Sequence, residues 1–94
     1  MVEIEWDGVE LATDARRTVL ERLRRLASVV DPDGRARFQV EILGDGSGFR
    51  VIVAGQDGLL RAVDATFRDR DLMGAVQGAV DLAMLRWRTH TRAA

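Results

Sequence analysis

Apolar residues occupy alternate positions at the start of the chain. Val2, Ile4 and Trp6 are separated by Glu3 and Glu5, and this period of two predicts a short strand with one apolar and one acidic face. Asp7-Gly8 ends it. From Ala15 the period lengthens: Ala15, Val19, Leu23, Leu26 and Val30, widened by Leu20 and Ala27, form the stripe of a helix that buries one face. Thr13 or Asp14 is placed to cap its start. Asp31-Pro32-Asp33-Gly34 stops it, because proline disfavours helical geometry in the residue before it and the following Asp-Gly favours a turn.

Phe38, Val40 and Ile42 then alternate with Arg37, Gln39 and Glu41, which predicts a second strand. Gly44-Asp45-Gly46-Ser47-Gly48 turns the chain into a third, Phe49 to Ala54, and Gly55-Gln56-Asp57-Gly58 turns it into a fourth, Leu59 to Phe67, so that these three form a meander. Asp69-Arg70-Asp71 is an acidic capping region for a second helix, from about Leu72 to His90. Its stripe is Leu72, Val76, Ala79, Ala83 and Trp87, with Met73, Val80 and Met84 beside it, and Arg86 and Arg88 suit the negative end of its dipole.

The order strand, helix, three strands, helix places the first strand parallel to its partner, because a helix carries the chain back between them. Both helices need a surface to bury against. One face of a four-stranded sheet supplies it, giving an α+β two-layer sandwich of β-α-β-β-β-α order in a single domain, residues 1–94. The other face would carry Glu3, Glu5, Gln39, Glu41 and Arg50 into solvent.

Composition narrows the function. With 94 residues, 47% of them hydrophobic, 31% charged and one proline, the chain has the makings of one folded core and no more. It has no cysteine, which excludes a disulfide scaffold, thiol catalysis and thiolate metal sites. The acidic, alternating start is unlike a leader peptide, and no apolar run approaches the ~18 residues of a membrane span. The expectation is a cytoplasmic protein without membrane contact.

A net charge of −1, from 14 basic and 15 acidic residues, at first argues against a nucleic-acid partner. Its distribution changes that. The first predicted helix carries five arginines against Asp14 and Glu21, and the second carries Arg86, Arg88 and Arg92 against Asp81. The helices together hold +5 and the remainder −6. Every basic residue is arginine; codon usage accounts for that simply, although guanidinium forks also suit phosphate better than ammonium does. On the first helix Arg17, Arg24 and Arg25 fall within an arc of roughly 100°, and Arg16 and Arg22 flank the buried stripe. Outward arginines on two adjacent helices would make a continuous positive layer of the kind that tracks a phosphate backbone, the plainer alternative on composition being two ordinary solvated helix faces.

Catalytic, metal and cofactor chemistry finds no support. His90 is the single histidine, without a nucleophile or second ligand to join it. The Gly44 to Gly48 run leads into a strand rather than a helix, so it reads as a hairpin and not a phosphate loop. Asp31 and Asp33 lack the later ligands of a calcium loop, and Asp69 and Asp71 read as helix caps.

The element order and the last third of the chain resemble the ribosome hibernation-promoting factors, or ribosome-associated translation inhibitors. The resemblance is carried by Val63-Asp64-Ala65-Thr66-Phe67-Arg68-Asp69-Arg70-Asp71-Leu72-Met73-Gly74-Ala75-Val76, then by Val80-Asp81, Arg88 and His90. It implies a fold akin to a double-stranded-RNA-binding domain. It further implies a non-enzymatic protein that occupies the tRNA and mRNA channel of the small ribosomal subunit, with basic helix residues against its rRNA, as in a stress response. Arg88 and His90 match the family's basic helix end, and Arg24 and Arg25 match more loosely. Ending soon after that helix, the chain would correspond to the short form, without the domain by which longer members pair ribosomes. The RNA-binding set is then Arg17, Arg24, Arg25, Arg86, Arg88, His90 and Arg92.

This chain also departs from the family, in being free of lysine and slightly acidic and in placing Leu82, Met84 and Leu85 where charged residues are usual. The second helix is apolar nearly all round. Gly74 and Gly78, four apart, weaken it yet permit close approach of another backbone. These features carry an alternative expectation: a protein–protein module of the same fold, homodimeric or partner-binding, through Gly74, Gly78, Leu82 and Leu85, unless the glycines simply accommodate the first helix.

Overall fold

The computed structural model describes residues 1–57 and 60–93. Strand β1 (Val2–Asp7) is followed by helix α1 (Thr13–Val30), strands β2 (Phe38–Gly44) and β3 (Phe49–Gly55), a 3₁₀ turn (Leu60–Val63), strand β4 (Ala65–Asp69) and helix α2 (Leu72–Ala93). The sheet order is β1-β2-β3-β4. β1 runs parallel to β2, and β2–β3 and β3–β4 are antiparallel. The structure is the expected α+β sandwich.

Alternation sorts the side chains as the sequence requires. Phe38, Val40, Ile42, Val51 and Val53 are buried beneath the helices, where they meet Val19, Leu23, Leu26 and Val30 of α1 and Ala75, Val76, Ala79 and Ala83 of α2. The register lays the open face out in rows. One row crosses the sheet as Glu5, Glu41, Ile52 and Thr66, the next as Asp7, Leu43, Arg50 and Arg68. Acids gather on β1 and β2 and arginines on β3 and β4.

Three local expectations are corrected. The fourth strand does not run from Leu59 to Phe67; it is confined to Ala65–Asp69, and Leu60–Val63 is helical. Leu60 and Val63 both enter the core, and apolar residues three apart fit a 3₁₀ turn rather than the period of two. Leu59 itself lies outside the described residues. Neither Thr13 nor Asp14 caps α1: the chain enters from extended Ala12 with no side-chain cap, and the Thr18 hydroxyl donates to the Asp14 carbonyl (3.0 Å). Finally, α2 continues past His90.

Other signals act as read. At the end of α1, Asp31 accepts a hydrogen bond from the Ala36 N–H (2.9 Å), and Gly34 takes a positive φ of 65°. In the β2–β3 hairpin, the Asp45 carboxylate accepts from both the N–H and the hydroxyl of Ser47 (2.9 and 2.7 Å). Asp71 caps α2 by accepting from the Gly74 N–H (2.9 Å), while Asp69 accepts from the Asp71 N–H (3.0 Å).

Candidate nucleic-acid interface

The length of α2 positions half of the candidate surface. Twenty-two residues span ~33 Å at 1.5 Å each, whereas strands of five to seven residues cover only ~17–24 Å. The last turns of the helix therefore extend past the sheet. Arg86, Arg88, Thr89, His90 and Thr91 are exposed there. The half-buried Trp87 stacks on His90, with ring centroids 6.4 Å apart and planes at 28°.

The arginines of this end differ in their commitments. Arg86 donates to the Asp64 carbonyl, and the Asp64 carboxylate accepts from the Gly55 N–H (2.9 Å). Arg86 thereby ties α2 to the corner between β3 and β4. The Arg88 guanidinium makes no hydrogen bond or ion pair among the described residues, although the Arg88 carbonyl accepts from the Thr91 hydroxyl (3.0 Å). The side chain of Arg92 lies outside the described residues.

α1 divides its arginines between two sides. Arg22 donates to the Gln77 side-chain oxygen of α2. With Arg25 and Glu21 it borders a groove between the helices whose apolar residues are Leu26, Val29, Val80 and Met84. Arg16, Arg17 and Arg24 turn to the other side, along β1, and the Arg16 guanidinium lies 5.3 Å from the centre of the Trp6 ring. Arg17, Arg24 and Arg25 are exposed, and neither of the salt bridges among the described residues, Glu3–Arg37 and Asp45–Arg68, engages them. Sequence reasoning placed these three on one outward arc; packing sends Arg25 toward α2 and Arg17 and Arg24 toward the sheet edge.

The protein comparisons bear on fold. No family model matches the chain, and no curated protein sequence does. Among solved structures it is similar to the crystal structure of the N-terminal domain of Protein Y from Thermus thermophilus, with a TM-score of 0.67 over 94% of this chain and 97% of that one, at 23% identity. The two chains share a fold.

The apolar residues of α2 are largely consumed by that fold. Met73, Val80, Leu82, Met84 and Trp87 pack against the core, because α2 lies against β3, β4, the 3₁₀ turn and α1 at once. Leu85 stays 60% exposed, as does Val29 on α1 at 56%. The glycines face neither α1 nor open solvent. A Cβ on Gly74 would come within 2.9 Å of the Asp69 carboxylate, and one on Gly78 would land in the ring of Phe67. Both belong to the packing of α2 on β4. Of the four residues read as an interface, Leu85 alone projects.

The reading by residue type missed Trp6. The alternation puts Trp6 on the apolar face of a strand, and it lies there, but β1 is an edge strand and leaves the ring half-buried beside three arginines. Edge position is a property of the sheet order. The signal available in sequence was a tryptophan on the strand beside the arginine-rich helix.

Proposed function

We propose that this protein is a short ribosome-associated RNA-binding factor that represses translation in the cytoplasm by occupying the decoding channel of the small subunit. The observation that carries this reading is a set of exposed arginines on the helices, Arg17, Arg24, Arg25 and Arg88, without ion pairs among the described residues. The acids of β1 and β2 lie on the opposite face of the sheet. A net charge of −1 then coexists with a surface able to approach phosphate, since the thickness of the domain separates the acids of β1 and β2 from the helix arginines. The fold supports the same reading: it is the β-α-β-β-β-α arrangement that the resemblance to hibernation factors implies. Such a protein acts by filling space and needs no catalytic group.

The test is co-sedimentation with small ribosomal subunits across a salt series. Association should weaken steeply as salt rises, and Arg17, Arg24, Arg25 and Arg88 replaced together by glutamate should abolish it. Unchanged co-sedimentation of that variant would sink the reading. Arg86 is left out of the set because its bond to Asp64 serves the fold.

The exposure of Leu85 and Val29 favours a second reading, a protein-binding or self-associating module of the same fold. It expects a dimer by light scattering that Leu85→Arg dissociates. A monomer at all concentrations, failing to bind other proteins in the presence of ribosomes, would dispose of it.

A further inference from the structure

The outer side of β1 carries a groove of about 570 Å³, lined by Val2, Ile4 and Trp6 of the strand and by Arg16, Arg17, Leu20, Glu21 and Arg24 among the residues of α1. α1 returns antiparallel to β1, so Arg16 and Arg17 stand beside the Trp6 end and Arg24 beside the Val2 end. Arg17 and Arg24 are seven residues apart, two turns of helix, which puts them ~10 Å from one another along one side. Glu21 lies between them and is the one acid of the groove. The strand's own acids, Glu3, Glu5 and Asp7, point to the opposite face and leave this side positive.

We propose that this groove is a subsite for single-stranded RNA, in which one base stacks at Trp6 and Arg16 while the phosphates that follow lie on Arg17 and Arg24. The proposal deepens the RNA-binding reading above and rests on it. An aromatic face together with guanidinium groups is what a single strand offers partners for, because each unpaired base has a free π-face and each linkage a charge. A duplex keeps its bases stacked on one another and has none to give to Trp6. Arg16, already over the indole ring, extends the platform by its own planar group. The single acid between two arginines sets a ceiling on affinity that a neutral residue would lift.

The experiment measures binding of a short fluorescein-labelled single-stranded RNA by anisotropy, with Trp6 emission followed in a Trp87→Phe background. The expected results are quenching of Trp6 on binding and a loss of about tenfold in affinity for Trp6→Leu. Arg17→Gln with Arg24→Gln, which leaves the core untouched, should weaken binding and flatten its salt dependence, and Glu21→Gln should tighten it. Absent binding by the wild-type chain, equal competition by duplex RNA or polyglutamate, or an unchanged affinity for Trp6→Leu would each overturn the proposal. The ribosome reading is scored separately. A chain that binds the oligonucleotide through Trp6 but never travels with small subunits refutes the ribosome and keeps the subsite; one that travels with them while Trp6→Leu binds RNA normally does the reverse.

Discussion

The ring of Phe67 on β4 occupies the space that a Cβ on Gly78 of α2 would fill. Phe67 is 37% exposed, so the ring is held by one helix rather than enclosed by a core. Gly78→Ala offers the helix a better residue but forces the ring aside. Overpacking is expected to win, lowering unfolding free energy by about 1–2 kcal/mol. In a Phe67→Ala background the same change should instead stabilise the protein by ~0.5–1 kcal/mol. Denaturant unfolding of the four proteins checks the reversal of sign, and a Gly78→Ala effect independent of Phe67 would contradict the packing described.

Asp71 caps α2 through the Gly74 N–H. Asp71→Ala leaves that donor without its acceptor and should cost about 1 kcal/mol, whereas Asp71→Asn, which can accept the same bond, should cost much less. Thermal unfolding monitored by circular dichroism distinguishes them; equal losses would mean that charge at the helix start, rather than the hydrogen bond, matters.

Arg86 and Arg88 are two residues apart and should behave oppositely. Arg86→Gln forfeits the bond to the Asp64 carbonyl and should destabilise the domain by about 1 kcal/mol. Arg88→Gln should leave stability within ~0.5 kcal/mol of the parent, as a surface change away from packing, yet weaken co-sedimentation with small subunits. Measuring unfolding and sedimentation on both proteins tests the division of labour.

The hairpin carboxylate of Asp45 titrates below the ordinary aspartate range, chiefly because the Ser47 hydroxyl donates to it, then because the Ser47 N–H does, with Arg68 contributing less. A folded value below the unfolded one gives stability that is present above pH ~3.9 and lost as the pH falls through the folded value. NMR titration should place the Asp45 midpoint lower than in an unstructured peptide. Ser47→Ala should raise it more than Arg68→Gln does; the opposite order would assign the shift to charge.

What the sequence determined by itself were the features set by local period and local chemistry. Val2, Ile4 and Trp6 announced a strand, the Val19 to Val30 stripe a helix, Asp71 a cap and the Asp45 loop a hairpin, because each depends on neighbours within a few residues. Even the element order, with a helix between the first two strands, foretold the parallel pair. Tertiary structure decided what depends on distant partners. Residues 60–63 became a 3₁₀ turn because Leu60 and Val63 could both reach the core under α2. Gly74 and Gly78 received Asp69 and Phe67, contacts that the β3–β4 register and the seat of α2 create and no spacing reveals. The candidate surface divides in the same way: the positive charge of the helices was legible by counting, but which arginines stay free and that Trp6 stands beside them on an open edge follow from sheet order and helix placement, which alone fix the neighbours of a side chain.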